Sequence, residues 1–265
     1  MSHSKLLNTL ILAALAVPCV AMADDAPAAA PTPAVTANVS LVTNYLYRGI
    51  SQTGGKPALQ GGFDYTHESG FYAGVWGSSI SWISDEKLAS SAGLELDTYL
   101  GFKNSFATDF NYDVGFLRYN YPGTYASPMP AGFAKADTNE VYGLIGYKWI
   151  SFKYSYSLGD TFGTAGARGT DYFDLSANYP IADTGITLGA HYGKQDYKGP
   201  NAGSGLTALS YDDYRLSVTK DFSGYAVGLT YSKTNAATGP GAIYTNVNGY
   251  ELGKGVAVLS LAHSF

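Results

Sequence analysis

The sequence predicts an all-β fold: a transmembrane up-and-down antiparallel β-barrel of about twelve strands, with fourteen as the alternative. Three observations lead there. Apolar and small polar residues alternate with a period of two over most of the chain, the pattern of strands with two unlike faces. Short and long connections between these stretches alternate strictly, as they do in barrels with one rim of tight turns and one of long loops. Finally, charged residues make up 14% of the 265 positions, against 46% hydrophobic, with 23 tyrosines and 32 glycines. A soluble domain carries about 25% charged residues, yet the mean hydropathy here is only −0.05. One apolar and one small polar face on each strand would produce that average.

The elements follow in order. Residues 1–23 read as a secretory signal peptide: Lys5 gives the positive start, Leu6 to Val17 the apolar stretch, and Ala21-Met22-Ala23 the small-x-small site, with cleavage expected after Ala23. The apolar stretch is too short for a spanning helix, which needs roughly 20 residues. Residues 24–37 are rich in Ala and Pro and read as a disordered leader, leaving 38–265 for the barrel. Twelve alternating segments are expected at 38–48, 57–66, 70–79, 93–103, 109–119, 139–148, 150–159, 171–180, 184–193, 211–220, 223–232 and 255–265. Five connections are tight, and several carry Gly, Asn or Asp. Six are long and polar: 49–56, 80–92, 120–138, 160–170, 194–210 and 233–254. An even number of strands starting and ending at one rim needs this count of five and six. An extra hairpin in 120–138 or 233–254 would give the fourteen-stranded alternative.

The faces point the same way. The polar faces carry Gly, Ser, Thr, Asn and a few charges, which suits a narrow watery lumen. Tyr45, Tyr47, Tyr65, Trp76, Trp82, Tyr121, Tyr147, Trp149, Tyr179, Tyr192 and Tyr231 lie near segment ends, where aromatic girdles meet the membrane interfaces. The last segment ends in Ala257, Leu259, Leu261, His263 and Phe265 at alternate positions. A terminal Phe265 closing an amphipathic strand resembles the signal by which barrel-assembly machinery recognises its substrates. His263 departs from the usual apolar residue at its position. Closure would pair this strand with the first and remove both sheet edges.

A resemblance adds to this reading. Tyr45-Leu46-Tyr47-Arg48-Gly49-Ile50-Ser51-Gln52-Thr53, Pro57-Ala58-Leu59-Gln60-Gly61-Gly62-Phe63-Asp64-Tyr65 and Ser69-Gly70-Phe71-Tyr72-Ala73-Gly74-Val75-Trp76, with Glu95-Leu96-Asp97 and Asn139-Glu140-Val141-Tyr142, resemble the TorF-type porins. That proteobacterial family was formerly catalogued as a conserved hypothetical protein. The resemblance covers nearly the whole mature chain and implies an outer-membrane barrel with a transport role. It brings no substrate.

The inward faces supply the candidate lumen and constriction groups: Arg48, Asp64, Glu95, Asp97, Lys103, Asp113, Arg118, Lys153, Asp174, Asp213 and Arg215. Ionisable groups at lipid depth must face water or pair with one another. Glu95 and Arg118 are expected near the same rim, as a cross-strand pair or a network with Asp97. These groups would form either a constriction that screens solutes or a structural ladder that fills a narrow barrel. Arg48 could offer a guanidinium fork to an anion. Alternatively Arg48, Ser51 and Gln52 satisfy backbone groups in a turn folded into the mouth.

Other chemistries find little support. The net charge of −5 and pI near 5.3 argue against nucleic-acid binding. The single cysteine, Cys19, lies in the signal segment, so no disulfide is expected. His67 is expected in a short turn, His263 against lipid and His191 in the lumen without a nucleophile motif. Neither catalysis nor a metal or cofactor is expected. The expected function is passive diffusion of small polar solutes through the outer membrane of a Gram-negative bacterium. The alternative is a non-conducting barrel that acts as a receptor, adhesin or envelope element through its loops. The expected partners are outer-membrane lipid, the assembly machinery and small polar solutes.

Overall fold

The computed structural model describes residues 34–265. The proposed signal peptide, its Ala23 cleavage site and all but the last residues of the leader lie outside the described residues.

Period-two alternation yields twelve barrel strands: β1 (Val35–Val42), β4 (Ala58–Thr66), β5 (Phe71–Ser79), β6 (Leu94–Phe106), β7 (Phe110–Asn120), β8 (Thr138–Tyr147), β9 (Ile150–Ser157), β10 (Asp171–Ile181), β11 (Ile186–Asp196), β12 (Tyr211–Phe222), β13 (Tyr225–Thr234) and β14 (Val256–Ser264). Each pairs antiparallel with its neighbours, and β1 pairs with both β4 and β14, so the sheet closes on itself. Val39 stands opposite His263 on one side and Gly61 on the other. Five tight turns lie at the rim that also holds the start of β1 and the end of β14; six long connections lie at the other.

The fourteen-strand alternative is overturned. Two further short strands, β2 (Leu46–Tyr47) and β3 (Ile50–Ser51), pair only with each other and stand outside the barrel wall. Residues 121–137 and 235–255 hold no barrel strand, only isolated bridges such as Thr245 to Glu251. The first strand also differs from its expected limits. It starts at Val35, three residues inside the expected leader, and stops at Val42, after which the chain turns into the barrel.

The two faces have opposite contents. Leu41, Leu59, Phe63, Leu100, Val114, Leu175, Leu216, Leu229 and Leu259 point outward and are exposed. Outward-facing charges such as Arg118, Lys194 and Lys233 lie toward the long-loop ends of their strands, and Lys220 toward the short-turn end. A continuous exposed apolar band of this size is unfavourable in water and matches the outward belt of membrane barrels.

The aromatic residues divide between the two faces. Tyr65, Tyr147, Trp149, Tyr179, Tyr192 and Tyr231 are exposed outside, as a girdle requires. Tyr45, Tyr47, Trp76, Trp82 and Tyr121 are not girdle residues. Tyr45 and Tyr121 are fully buried inside the barrel, Tyr45 meets Trp76 edge-on at 5.7 Å, and Trp82 meets Tyr121 at 5.6 Å. Their place near strand ends suits both destinations, and the inward-folded loops claim them. With Ile80, Ile83, Leu88, Leu117 and Tyr142 they form a hydrophobic core in the long-loop half of the barrel interior.

Candidate functional site

The centre of this interior is the hairpin β2–β3. Leu46 pairs with Ser51 and Tyr47 with Ile50, leaving Arg48 and Gly49 at the turn. Both have positive φ, 46° and 78°, the conformation of a two-residue type I′ turn. Glycine accepts it freely, whereas an L side chain at such a φ costs roughly 1–2 kcal/mol. Contacts made by the Arg48 side chain offset that cost. Its Nη2 donates to Glu140 Oε2 at 2.7 Å and its Nη1 to Gln195 Oε1 at 2.8 Å. The guanidinium also lies 4.3 Å from the Tyr172 ring centre and 4.9 Å from that of Tyr47. Tyr119 hydroxyl reaches Glu140 Oε2 at 3.2 Å and meets the Tyr47 hydroxyl at 2.5 Å.

The base of the hairpin is equally fixed. Ser51 Oγ donates to Asn44 Oδ1 at 2.6 Å, Gln52 Nε2 to the Ile50 carbonyl at 2.9 Å, and Ser51 N to the Leu252 carbonyl. Ser81 N and Trp82 N both donate to the Gln52 carbonyl. The turn is therefore folded into the mouth and held there by the loops from 80–93 and 235–255. Gln52 and Ser51 satisfy backbone groups, at the Ile50 carbonyl and the Gly55 N–H, whereas Arg48 bonds side chains, not the backbone groups expected of it.

A cavity of about 40 Å³ lies against the hairpin tip, lined among others by Arg48, Lys153, Tyr172, Asp174, His191 and Arg215. That is room for a few waters or one small polar group. At its edge Ser176, His191 and Asp213 come from three adjacent strands. His191 Nε2 is 2.9 Å from Asp213 Oδ1 and His191 Nδ1 is 3.0 Å from Ser176 Oγ. Ser176 Oγ, however, donates to Asp174 Oδ1 at 2.6 Å. Its hydrogen is directed to a carboxylate and not to the imidazole, so the hydroxyl is not primed as a nucleophile.

Of the expected lumen groups, Asp64, Glu95, Asp97, Lys103, Asp113, Lys153, Asp174, Asp213 and Arg215 occupy inward strand positions and Arg48 reaches the interior from the hairpin. Arg118 does not. It shares the outward face of β7 with Val114 and Phe116. There it donates to Asn120 and Asn139 and forms a 3.3 Å ion pair with Asp137. The expected Glu95–Arg118 pair is thus overturned, because the two side chains stand on opposite sides of the wall. Glu95 instead accepts from the Tyr45 hydroxyl at 3.2 Å. Glu95 Oε2 and Asp97 Oδ1 are buried with no hydrogen-bond partner among the described residues. The expectations omitted Glu140, Gln60, Gln195 and Tyr172. Alternation within their own strands marks Glu140, Gln60 and Tyr172 as inward, so that signal was present. That Arg48 would meet Glu140, 92 positions away, had no local signal.

Fold and interior together define a closed, porin-like twelve-stranded barrel with a hairpin folded into its lumen. The chain belongs to the Gcw_chp family of bacterial proteins of unknown function, whose model matches residues 25–265. No curated protein matches it. Among solved structures it is similar to the KdgM porin in complex with disordered oligogalacturonate, at TM-score 0.50 and 7% identity over 87% of this chain and 98% of that one. It is also similar to OccAB3 of Acinetobacter baumannii, at TM-score 0.43 and 12% identity over 89% and 65% of the chains. For OprD of Pseudomonas aeruginosa the values are 0.38 and 11% over 89% and 67%.

Proposed function

We propose that this protein is an outer-membrane channel for passive diffusion of small polar solutes, with the Arg48 hairpin as its constriction. The observation that carries this reading is the pairing of an apolar outer belt with an interior lined by charged and hydroxyl groups around a hydrated-sized cavity. A soluble protein would place these faces the other way round. The resemblance to TorF-type porins belongs to the same proposal. So do export through a signal peptide removed after Ala23, delivery by the barrel-assembly machinery through Phe265, and the absence of catalysis. Purified protein inserted into a planar lipid bilayer should give discrete conductance steps. Bilayers that stay at the empty-membrane baseline would defeat the channel reading.

A second reading, a non-conducting barrel that presents its loops, draws on the buried Tyr45, Tyr119 and Tyr121 that fill the long-loop half. Conductance that appears only after residues 45–52 are replaced by a short glycine-rich loop would favour it.

A further inference from the structure

Although the chain carries a net charge of −5, three half-buried cations face its interior without an ion-pair partner among the described residues. Between the hairpin tip and the short-turn rim, the carboxylates are covered by hydrogen-bond donors. Tyr99 hydroxyl donates to Asp64 at 2.5 Å, Tyr72 to Asp113 at 2.5 Å and Tyr172 to Asp213 at 2.8 Å. Asp174 accepts from Ser176 at 2.6 Å and faces His191. At the rim, Asp221 accepts from the Gly224 N–H. Asp113, Asp174 and Asp213 are buried behind these donors.

The cations of the same region are arranged differently. Lys103, Lys153 and Arg215 point into the lumen, are only half-buried, and form no ion pair among the described residues. Lys153 Nζ lies 3.9 Å above the Tyr142 ring centre and Lys103 Nζ 5.2 Å from that of Tyr72. A ring face attracts a cation through its quadrupole but does not neutralise it. Lys153 and Arg215 both line the cavity below Arg48. Water in the lumen therefore meets these ammonium and guanidinium groups directly, while Asp113, Asp174 and Asp213 lie behind hydroxyl and imidazole groups. Asp64 and Asp221, half-buried like the cations, each keep a hydrogen-bond donor. In a narrow lumen with low-dielectric walls, such an imbalance is focused onto the solute.

We infer that the lumen is selective for small anions, with Lys103, Lys153 and Arg215 as its anion-facing groups and the cavity beneath Arg48 sized for a chloride or a single carboxylate group. This deepens the channel reading and rests on it for the step of permeation. The lumen's sign can also be measured without conduction.

Two experiments test it. In a bilayer with a potassium chloride gradient, the reversal potential should give a chloride-to-potassium permeability ratio of about three or more. Lys103→Gln, Lys153→Gln and Arg215→Gln combined should bring that ratio to one or below. If the triple variant does not fold, Tyr72→Phe, which uncovers Asp113, should lower the ratio on its own. Cation selectivity in the unaltered protein, or a ratio indifferent to these changes, would overturn the inference. The second experiment places a thiol at Ser151→Cys, an inward position two residues from Lys153, in a Cys19→Ser background. It compares modification by the anionic sulfonatoethyl and the cationic trimethylammonioethyl methanethiosulfonates. Normalised to a free thiol, the anionic reagent should react about tenfold faster; equal rates or a faster cationic reagent would refute the inference. A silent bilayer with a faster anionic reagent would defeat the channel reading and leave the anion-facing lumen standing.

Discussion

Arg48 and Glu140 form an ion pair at 2.7 Å inside the barrel, with 6% and 3% of their side-chain surfaces exposed. It joins a loop hairpin to strand β8 on the barrel wall. Removing one member of such a pair leaves an uncompensated buried charge and costs about 3–5 kcal/mol. Glu140→Ala should therefore lower the thermal stability of the detergent-solubilised barrel by that order, and raise the mean conductance in bilayers by releasing the hairpin tip. Arg48→Lys should be intermediate. A lysine cannot bond Glu140 and Gln195 together through a planar fork, as Arg48 does.

Gly49 supplies the second prediction. A Cβ there would lie 2.5 Å from Thr234 Cγ2 and 2.7 Å from Asp213 Cβ, at a φ of +78°. Strain of this kind costs on the order of 1–3 kcal/mol, and the hairpin can relieve it only by withdrawing from the lumen. Gly49→Ala should expose the chain after Arg48 to trypsin in the folded barrel, whereas the unaltered hairpin should resist cleavage.

The outer belt makes a third. Leu216 lies midway along β12 with 65% of its surface exposed. At an exposed position facing water, Leu216→Arg would change stability by less than about 0.5 kcal/mol. Against hydrocarbon near the midplane it should cost about 2–4 kcal/mol. Refolding titrations into lipid vesicles should show the larger value, while Lys233→Leu near the long-loop end of β13 should be close to neutral.

Phe265 separates assembly from stability. It is 72% exposed, its backbone exchanges hydrogen bonds with Ala37, and its ring touches His263 edge-on at 4.6 Å. Phe265→Ala should reduce the amount of protein reaching the outer membrane several-fold, yet leave the thermal stability of the refolded barrel within about 0.5 kcal/mol. Equal membrane levels for the two chains would count against an assembly role.

Much of this molecule is written locally. Side chains on a strand alternate strictly, so the residue types in β6 or β13 alone decide which face is apolar, and a run of such strands with alternating turn lengths has a closed barrel as its solution. That is why strand number, the uncharged outer belt and the inward position of Asp64, Glu95, Lys153 or Asp213 could be read from sequence. Arg118 fits the same rule once its alternation with Val114 and Phe116 is followed, and Glu140 could have been found in the same way. The interior of the long-loop half could not. Tyr45 and Tyr121 look like Tyr65 and Tyr231, since an aromatic near a strand end suits a girdle and a filled lumen equally well. Only the direction in which residues 43–57 fold separates them. That direction depends on contacts between residues far apart in the chain, Arg48 with Glu140 and Gln195 and Ser51 with Leu252. So the sequence by itself determined a membrane-suited barrel. The tertiary structure decided that its mouth is filled and that Asp113, Asp174 and Asp213 are covered while Lys103, Lys153 and Arg215 have no ion-pair partner among the described residues, because both properties arise from which distant donor meets which carboxylate.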